Sequence, residues 1–334
     1  MIIIPDLTFH KALKFIKELD GLTIAEDEEF DFSRVHNCDP FPMLVVSAAI
    51  RKKRSESIEK TCRAINCQNT YAEHMRFYRA IGIDCGRYLS ENYGNSNYLP
   101  ITKLEISDLR NEGIKNTERI QEVLESKAKL MANVLSRGND SFKKWLKYVL
   151  TEVMRNIPEH SKADAIWYCA QYWPSYDLVE LGILDEGVGI RNSLLDNYAY
   201  HGTIRDDKEA IGMALSPGIS KAFAPGSISL SKDEWANSGF GLFMVSQLCK
   251  ELDGSFLIAS GESAIRINND VKLAHYPTNF KGTAIQIRIR PSMINNYEVI
   301  AKKILKRGEQ LAKERGGGFE TASKSTKSLF WDGG

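Results

Sequence analysis

Glu152-Val153-Met154-Arg155-Asn156-Ile157-Pro158-Glu159-His160-Ser161 closes an apolar run at helical spacing. Leu146, Val149, Leu150, Val153, Met154 and Ile157 fall at i, i+3, i+4, i+7, i+8 and i+11, which predicts an amphipathic helix over residues 141–157 burying one stripe. Glu152 and Asn156 stand four apart and so project from one face, with His160 on that side if the helix continues. An Asn amide oxygen is a neutral hard ligand suited to Mg2+, an ion that keeps several waters and shares phosphate oxygens. A carboxylate one turn earlier can orient and deprotonate a water attacking a phosphate. Standing alone, such a segment is more often just the solvated face of a helix.

Two further segments give it a context. Asp185-Glu186-Gly187-Val188-Gly189 follows the apolar strand candidate 178–184 directly. A carboxylate at a strand end can accept the exocyclic amine of adenine, and glycines there allow positive φ and close backbone approach. Ser238-Gly239-Phe240-Gly241-Leu242 opens a helix predicted over 241–252, where backbone N–H groups and a partial positive charge face a bound phosphate. It is not a Walker loop, and no strand leads directly into it, so it is not a dinucleotide fingerprint either.

In this order and spacing the three segments resemble the GHKL superfamily of ATP-binding domains: gyrase B subunits, mismatch-repair ATPases, chaperones of the heat-shock ninety class, histidine kinases and anti-sigma-factor kinases. The helix segment looks like the N box, residues 185–189 the G1 box and residues 239–242 the G2 box, with Lys281-Gly282-Thr283 resembling the threonine site that supports adenine through water. The resemblance covers residues 142–290. It implies a Bergerat α/β sandwich, a mixed sheet backed by helices, with Mg-ATP held between them. Asn156 is then the Mg2+ ligand and Glu152 the general base. Asp185 reads adenine beside Gly187, Gly189 and Thr283, and the backbone of Gly239, Phe240, Gly241 and Leu242 holds the phosphates. Residues 191–238 would form the ATP lid, carrying Gly202, Gly212, Pro217, Gly218, Pro225 and Gly226, with Lys221 and Lys232 as candidate γ-phosphate contacts.

The family does not fix the activity. A sensor kinase keeps a phosphoacceptor His, usually followed by an acidic residue. Here the six histidines precede Lys11, Asn37, Met75, Ser161, Gly202 and Tyr276, which argues against an autophosphorylating histidine kinase. Glu152 favours a slow ATPase whose lid closure regulates a protein partner or a homodimer. The alternative is an anti-sigma-type serine/threonine kinase acting on a separate STAS partner, and a third reading keeps ATP as a structural ligand.

Upstream, residues 1–99 alternate short strand and helix candidates: strands at 21–24, 29–35 and 61–67, helices at 42–54 and 71–81. Phe30-Asp31-Phe32-Ser33-Arg34-Val35 followed by residues 39–45 resembles the strand, loop and helix of a STAS domain. The loop reads Asp39-Pro40-Phe41-Pro42, with no hydroxyl to phosphorylate, so such a module would bind a partner or pack against its own chain. Residues 91–100 read as a turn-rich linker. The second domain is expected over 100–295, with a strand at 102–106, a helix at 116–135 and strands at 165–172, 255–260, 264–267 and 283–289. Residues 296–334 form a basic tail, helical then flexible, whose Lys302, Lys303, Lys306 and Arg307 read as a solvated face.

Bulk properties narrow the class further. A net charge of +1 among 334 residues gives no global field toward nucleic acid or an anionic membrane. No apolar run reaches the ~20 residues that span a bilayer, and the first residues lack a signal-peptide pattern. Six scattered cysteines without a second close pair or nearby histidines argue against zinc and for a reduced, cytoplasmic protein.

Overall fold

The computed structural model describes residues 1–25, 27–56, 61–82, 97–221, 238–270, 273–316 and 320–327. Cys85, Pro225, Gly226, Lys232 and the 91–96 part of the expected linker lie outside them.

The N-terminal unit is a run of parallel β and crossover α. Strands β1 (Ile2–Ile3), β2 (Glu28–Asp31) and β3 (Cys62–Ile65) form a three-stranded parallel sheet in that order. The connections are α1 (Phe9–Asp20) and α2 (Pro40–Ser55), as parallel neighbours require. The expected strand at 21–24 is instead a turn that buries Ile24. The expected helix 71–81 is two short pieces, α3 (Thr70–His74) and α4 (Phe77–Ala80), broken where Arg76 takes φ 58°.

The larger unit is built on β4 (Tyr98–Glu105), β5 (Ala165–Trp173), β6 (Leu178–Asp185), β7 (Ser255–Asn268) and β8 (Ala274–Ile289), in the order β4-β5-β6-β8-β7. All four pairings are antiparallel, so the sheet is not mixed as expected. Residues 97–100 lead into or belong to edge strand β4 rather than a linker, and Pro100 falls where its register slips between Leu99 and Thr102. An edge strand accommodates a residue with no N–H at such an irregularity. The two expected strands at 255–260 and 264–267 are one, β7, kinked by a bulge at Gly261 (φ 59°).

One face of this sheet is covered by α6 (Ile120–Ser136), α7 (Asp140–Asn156) and α10 (Gly241–Glu251), with the short α8 (Gly189–Leu195) and α9 (Asp207–Ala214) between the last two in sequence. α7 begins because Asn139 accepts a hydrogen bond from Phe142 N (2.9 Å), and Asp140 in its first turn suits the helix dipole. Its inward stripe buries Phe142, Trp145, Leu146, Val149, Leu150, Val153 and Met154, each worth about 1.5–3 kcal/mol. A helix absent from the sequence reading, α5 (Ile106–Asn116), precedes α6 and ends at Thr117, which takes φ 59°.

The opposite face is covered by the N-terminal unit. Alternation along β6 sends Val179, Leu181 and Ile183 toward α7, and Gly182 and Leu184 toward α2. The near-continuous apolar reading of 178–184 therefore reflects burial on both sides. A Cβ at Gly182 would come within 3.1 Å of Leu44 and 3.4 Å of the Phe41 Cα, so glycine lets α2 lie directly on the sheet. Glu180, wholly buried, points the same way. Its Oε1 accepts from Phe41 N (2.9 Å) in the first turn of α2, and its Oε2 lies 3.4 Å from Arg288 Nε. Asp39, at the cap position, makes no such side-chain bond, so the cap comes from the sheet. Glu180→Ala strips a buried N–H and a guanidinium of their acceptor. The expected result is a loss of about 2 kcal/mol in urea unfolding, with Glu180→Gln recovering part of it.

After the sheet, α11 (Tyr297–Arg315) packs along α10, with Gly308 against the Phe243 ring. No helix of the described residues is long and apolar enough to cross a membrane.

Candidate functional site

The helix α7 does not stop at Asn156. It passes into a π-helical turn, Ile157–Ser161, closed by Ser161 Oγ bonding to Ile157 O (2.9 Å) and ended by Lys162 at φ 57°. Such widened turns recur where a helix must present side chains to a site. Here it keeps His160 on the side of Asn156, and both line one cleft.

The other walls come from the remaining sequence motifs. Asp185, Gly189 and Thr283 line one end, and Gly239, Gly241 and Leu242 another. Val153, Ile157, Ile183, Ile190, Leu194 and Ile285 supply the cleft's apolar lining. Of the residues singled out from sequence, Asn156, Asp185, Gly189, Gly239, Gly241, Leu242 and Thr283 meet in this one cleft. Gly187 stands behind it and Phe240 is wholly buried in the core, so its side chain faces no ligand. Lys221 is in the wall; burial lowers its pKa.

The motifs are tied to one another by hydrogen bonds. Val188 N donates to Ser161 O (2.8 Å), joining the strand-end loop to the π turn. A Cβ at Gly187 would sit 2.1 Å from that same Ser161 oxygen, so only glycine permits the approach. Ser260, buried in β7, donates to Gly282 O (2.8 Å) and accepts from Ile190 N (3.0 Å), locking the Lys281–Thr283 turn to the loop. Ser193 Oγ reaches His160 O (3.0 Å). Sequence reasoning missed Ser161, Ser193 and Ser260. The last left a trace as a hydroxyl ending the apolar run Phe256–Ala259.

Asp185 is the chemically loaded residue of the cleft. It is only 3% exposed, and its Oδ1 accepts from Gly187 N (2.9 Å). Burial lifts its pKa to about 7, against hydrogen bonds from Gly187 and from the Thr283 backbone and hydroxyl that pull it down. β6 and β8 set this pairing, since Asp185 and Thr283 are register partners. A carboxylate held this way can accept one more donor from a ligand and discriminate for it.

Asn156 donates through Nδ2 to Glu152 O (2.7 Å), which fixes the orientation of its amide at the cleft wall. Glu152 is not a wall residue. Its carboxylate is buried between α7 and the start of α10, so close that a Cβ at Gly241 would fall 2.4 Å from Oε2. Burial raises its pKa to about 7, Arg155 opposing and Glu159 reinforcing. Arg155, also buried, lies 3.6 Å from Glu152 and 3.2 Å from Glu159. Burial also pushes His160 down to about 4, with Lys221 and Arg155 adding to it, which leaves the imidazole neutral at pH 7.

The chain matches no protein-family model and no curated protein.

Proposed function

We propose that residues 100–295 bind Mg-ATP in the manner of the GHKL superfamily and hydrolyse it slowly, with the nucleotide state controlling association with a protein partner or a second copy. The observation that carries this reading is the meeting of Asn156, Asp185, Thr283, Gly239 and Gly241 around one cleft, from segments spread over more than a hundred residues.

Each wall suits a different part of the nucleotide. Asp185 accepts from the adenine amine, with Thr283 beside it, against the apolar lining. The backbone of residues 239–242 at the start of α10 suits the phosphates. Asn156 offers Mg2+ one neutral oxygen, which fits an ion that takes its remaining ligands from phosphates and water. Ala214, Ile219, Ser220 and Lys221, from the expected lid segment, line the cleft as well. Glu152 lies behind Gly241, one turn before Asn156 and off the cleft wall, so its part as general base requires that its carboxylate reach the attacking water past that glycine.

Incubation of the full chain with Mg2+ and ATP labelled on the γ-phosphate tests the proposal. Slow release of free phosphate is the expected result. Label appearing on a second protein would move the assignment to a serine/threonine kinase. Retained ATP with neither outcome would leave a structural ligand, and absence of ATP binding would remove the reading altogether.

A further inference from the structure

The loop that carries Asp185 has two faces. Asp185 looks into the cleft, and alternation past the strand end turns Glu186 to the opposite side, where the N-terminal unit lies. Arg51 of α2 meets it there: Arg51 Nη2 is 3.1 Å from Glu186 Oε1. The guanidinium is firmly held. Its carbon stacks 3.7 Å from the Trp167 ring centroid, and Nη1 donates to Ala80 O (2.7 Å) and Ser47 Oγ (3.2 Å). Burial of this group lowers its pKa, while Glu186 draws it back up.

A second contact grips the other half of the same end of the cleft. Asp20, at the end of α1, accepts from Asn279 of β8, and Lys52 of α2 binds the other Asp20 oxygen. Asn279 is four residues before Thr283, and the intervening Gly282 turn bonds through Ser260 to the Asp185 loop. A small cavity lined by Leu19, Asp20, Lys52, Glu186, Asn279 and Lys281 marks where these pieces converge. The two segments that hold Asp185 and Thr283 are thus braced from behind by α1 and α2.

From this geometry we infer that Arg51 is a positioning residue for the nucleotide: through Glu186 it holds the Asp185 loop in its binding conformation, coupling the docking of the N-terminal unit to adenine recognition. The inference rests on the nucleotide reading above. Because such coupling is reciprocal, nucleotide binding tightens the docking of α2 by the same factor that docking tightens nucleotide binding. Arginine suits the task because its planar head stacks on Trp167 and bonds a carboxylate edge-on at once, which lysine cannot do.

The test uses the full chain and four proteins: wild type, Arg51→Gln, Glu186→Gln and the double variant. Calorimetric titration is expected to show each single change weakening both ATP and ADP about tenfold, within the ~5–150-fold range of coupled sites. The double variant is expected to be no weaker than either single, since both remove one link. The loss falls on KM for ATP rather than on kcat, and amide exchange at Gly187 and Val188 quickens in the variants without any nucleotide. Glu186→Gln alters a partly exposed side chain and carries the test if Arg51→Gln does not fold. Wild-type affinity in both single variants overturns the inference and leaves the nucleotide reading standing. A wild type that binds no ATP takes both down.

Discussion

Asp185→Asn is expected to lower ATP affinity at least ~100-fold while leaving a folded protein, a separation that few other changes in this chain can produce. The side chains differ by one atom, so packing is kept. What changes is the donor count. Gly187 and Thr283 both donate to the carboxylate, and the adenine amine would be a further donor. An amide turns one of the acceptor positions into an N–H, leaving donor facing donor in a buried site, the kind of mismatch that costs a hydrogen-bonding pocket several powers of ten. The pH dependence sharpens the test. With a pKa near 7 in the free protein, Asp185 must lose a proton to accept the amine, so wild-type affinity rises with pH up to and through 7, and the residual affinity of the Asn variant loses this dependence.

Stability moves the other way. A carboxyl whose pKa rises from 3.8 to about 7 on folding binds more protons folded than unfolded between those values. Wild-type stability therefore falls as pH rises through that window, by an amount on the order of 4 kcal/mol at 1.36 kcal/mol per unit. Asparagine removes this loss and introduces a donor clash of about 1–3 kcal/mol. The variant is accordingly the less stable protein at pH 4 and the more stable one at pH 8, in urea melts of the nucleotide-free chain. Wild-type ATP affinity in Asp185→Asn would sink the adenine assignment whatever the melts show.

How much of this could be seen beforehand depended on how local the cause was. The helix around Glu152 and Asn156 and the strand ending at Asp185 were legible because a 3.6 period and a long apolar run are written in neighbouring residues. Thr283 and the glycines at 187, 189, 239 and 241 were legible as motif pieces, although what crowds Gly187 and Gly241, the Ser161 carbonyl and the Glu152 carboxylate, is distant or non-adjacent in sequence. α5 was hidden because its buried positions, Ile106, Leu109 and Gly113, include a glycine that breaks the apolar pattern. The single strand β7 was split by Gly261, which in the fold is a bulge and not an end.

The docking of the N-terminal unit was least legible. Glu180, in the middle of an apolar run, is the buried acceptor for the start of α2. The absence of alternation in residues 178–184 was the available signal, since a sheet with one wet face alternates and a sheet covered on both sides does not. Arg51 carried no signal at all. It sits in Arg51-Lys52-Lys53-Arg54, at the end of the helix expected over 42–54, and only the fold brings Trp167 and Glu186 to it.

Glu152→Gln is the second change with a large expected effect, and it separates chemistry from binding. Asn156 and the wall residues remain, and Glu152 itself does not line the cleft, so the KM for ATP is expected to stay within a few-fold of wild type. If Glu152 is the general base of the proposed hydrolysis, its removal costs ~100–10,000-fold in rate, which is the expected fall in kcat. Glutamine is the informative replacement because it fills the same volume against Gly241, where alanine would open a cavity beneath the turn at the start of α10. Arg155 keeps Glu159 at 3.2 Å, so no buried cation is stranded. Wild-type hydrolysis should rise as Glu152 ionises, reaching half its plateau near pH 7, and the residual rate of the Gln variant should be flat across that range. The same proton governs stability with the same sign as at Asp185. A pKa raised from 4.5 to about 7 makes the wild type lose stability between those values, and Glu152→Gln flattens that part of the curve. A variant with wild-type kcat but the flattened stability curve would show that the carboxyl titrates where the fold puts it and yet takes no proton in the reaction. The base would then have to be sought among the groups that do line the cleft, with His160, neutral at pH 7 and on the same side as Asn156, the first to replace.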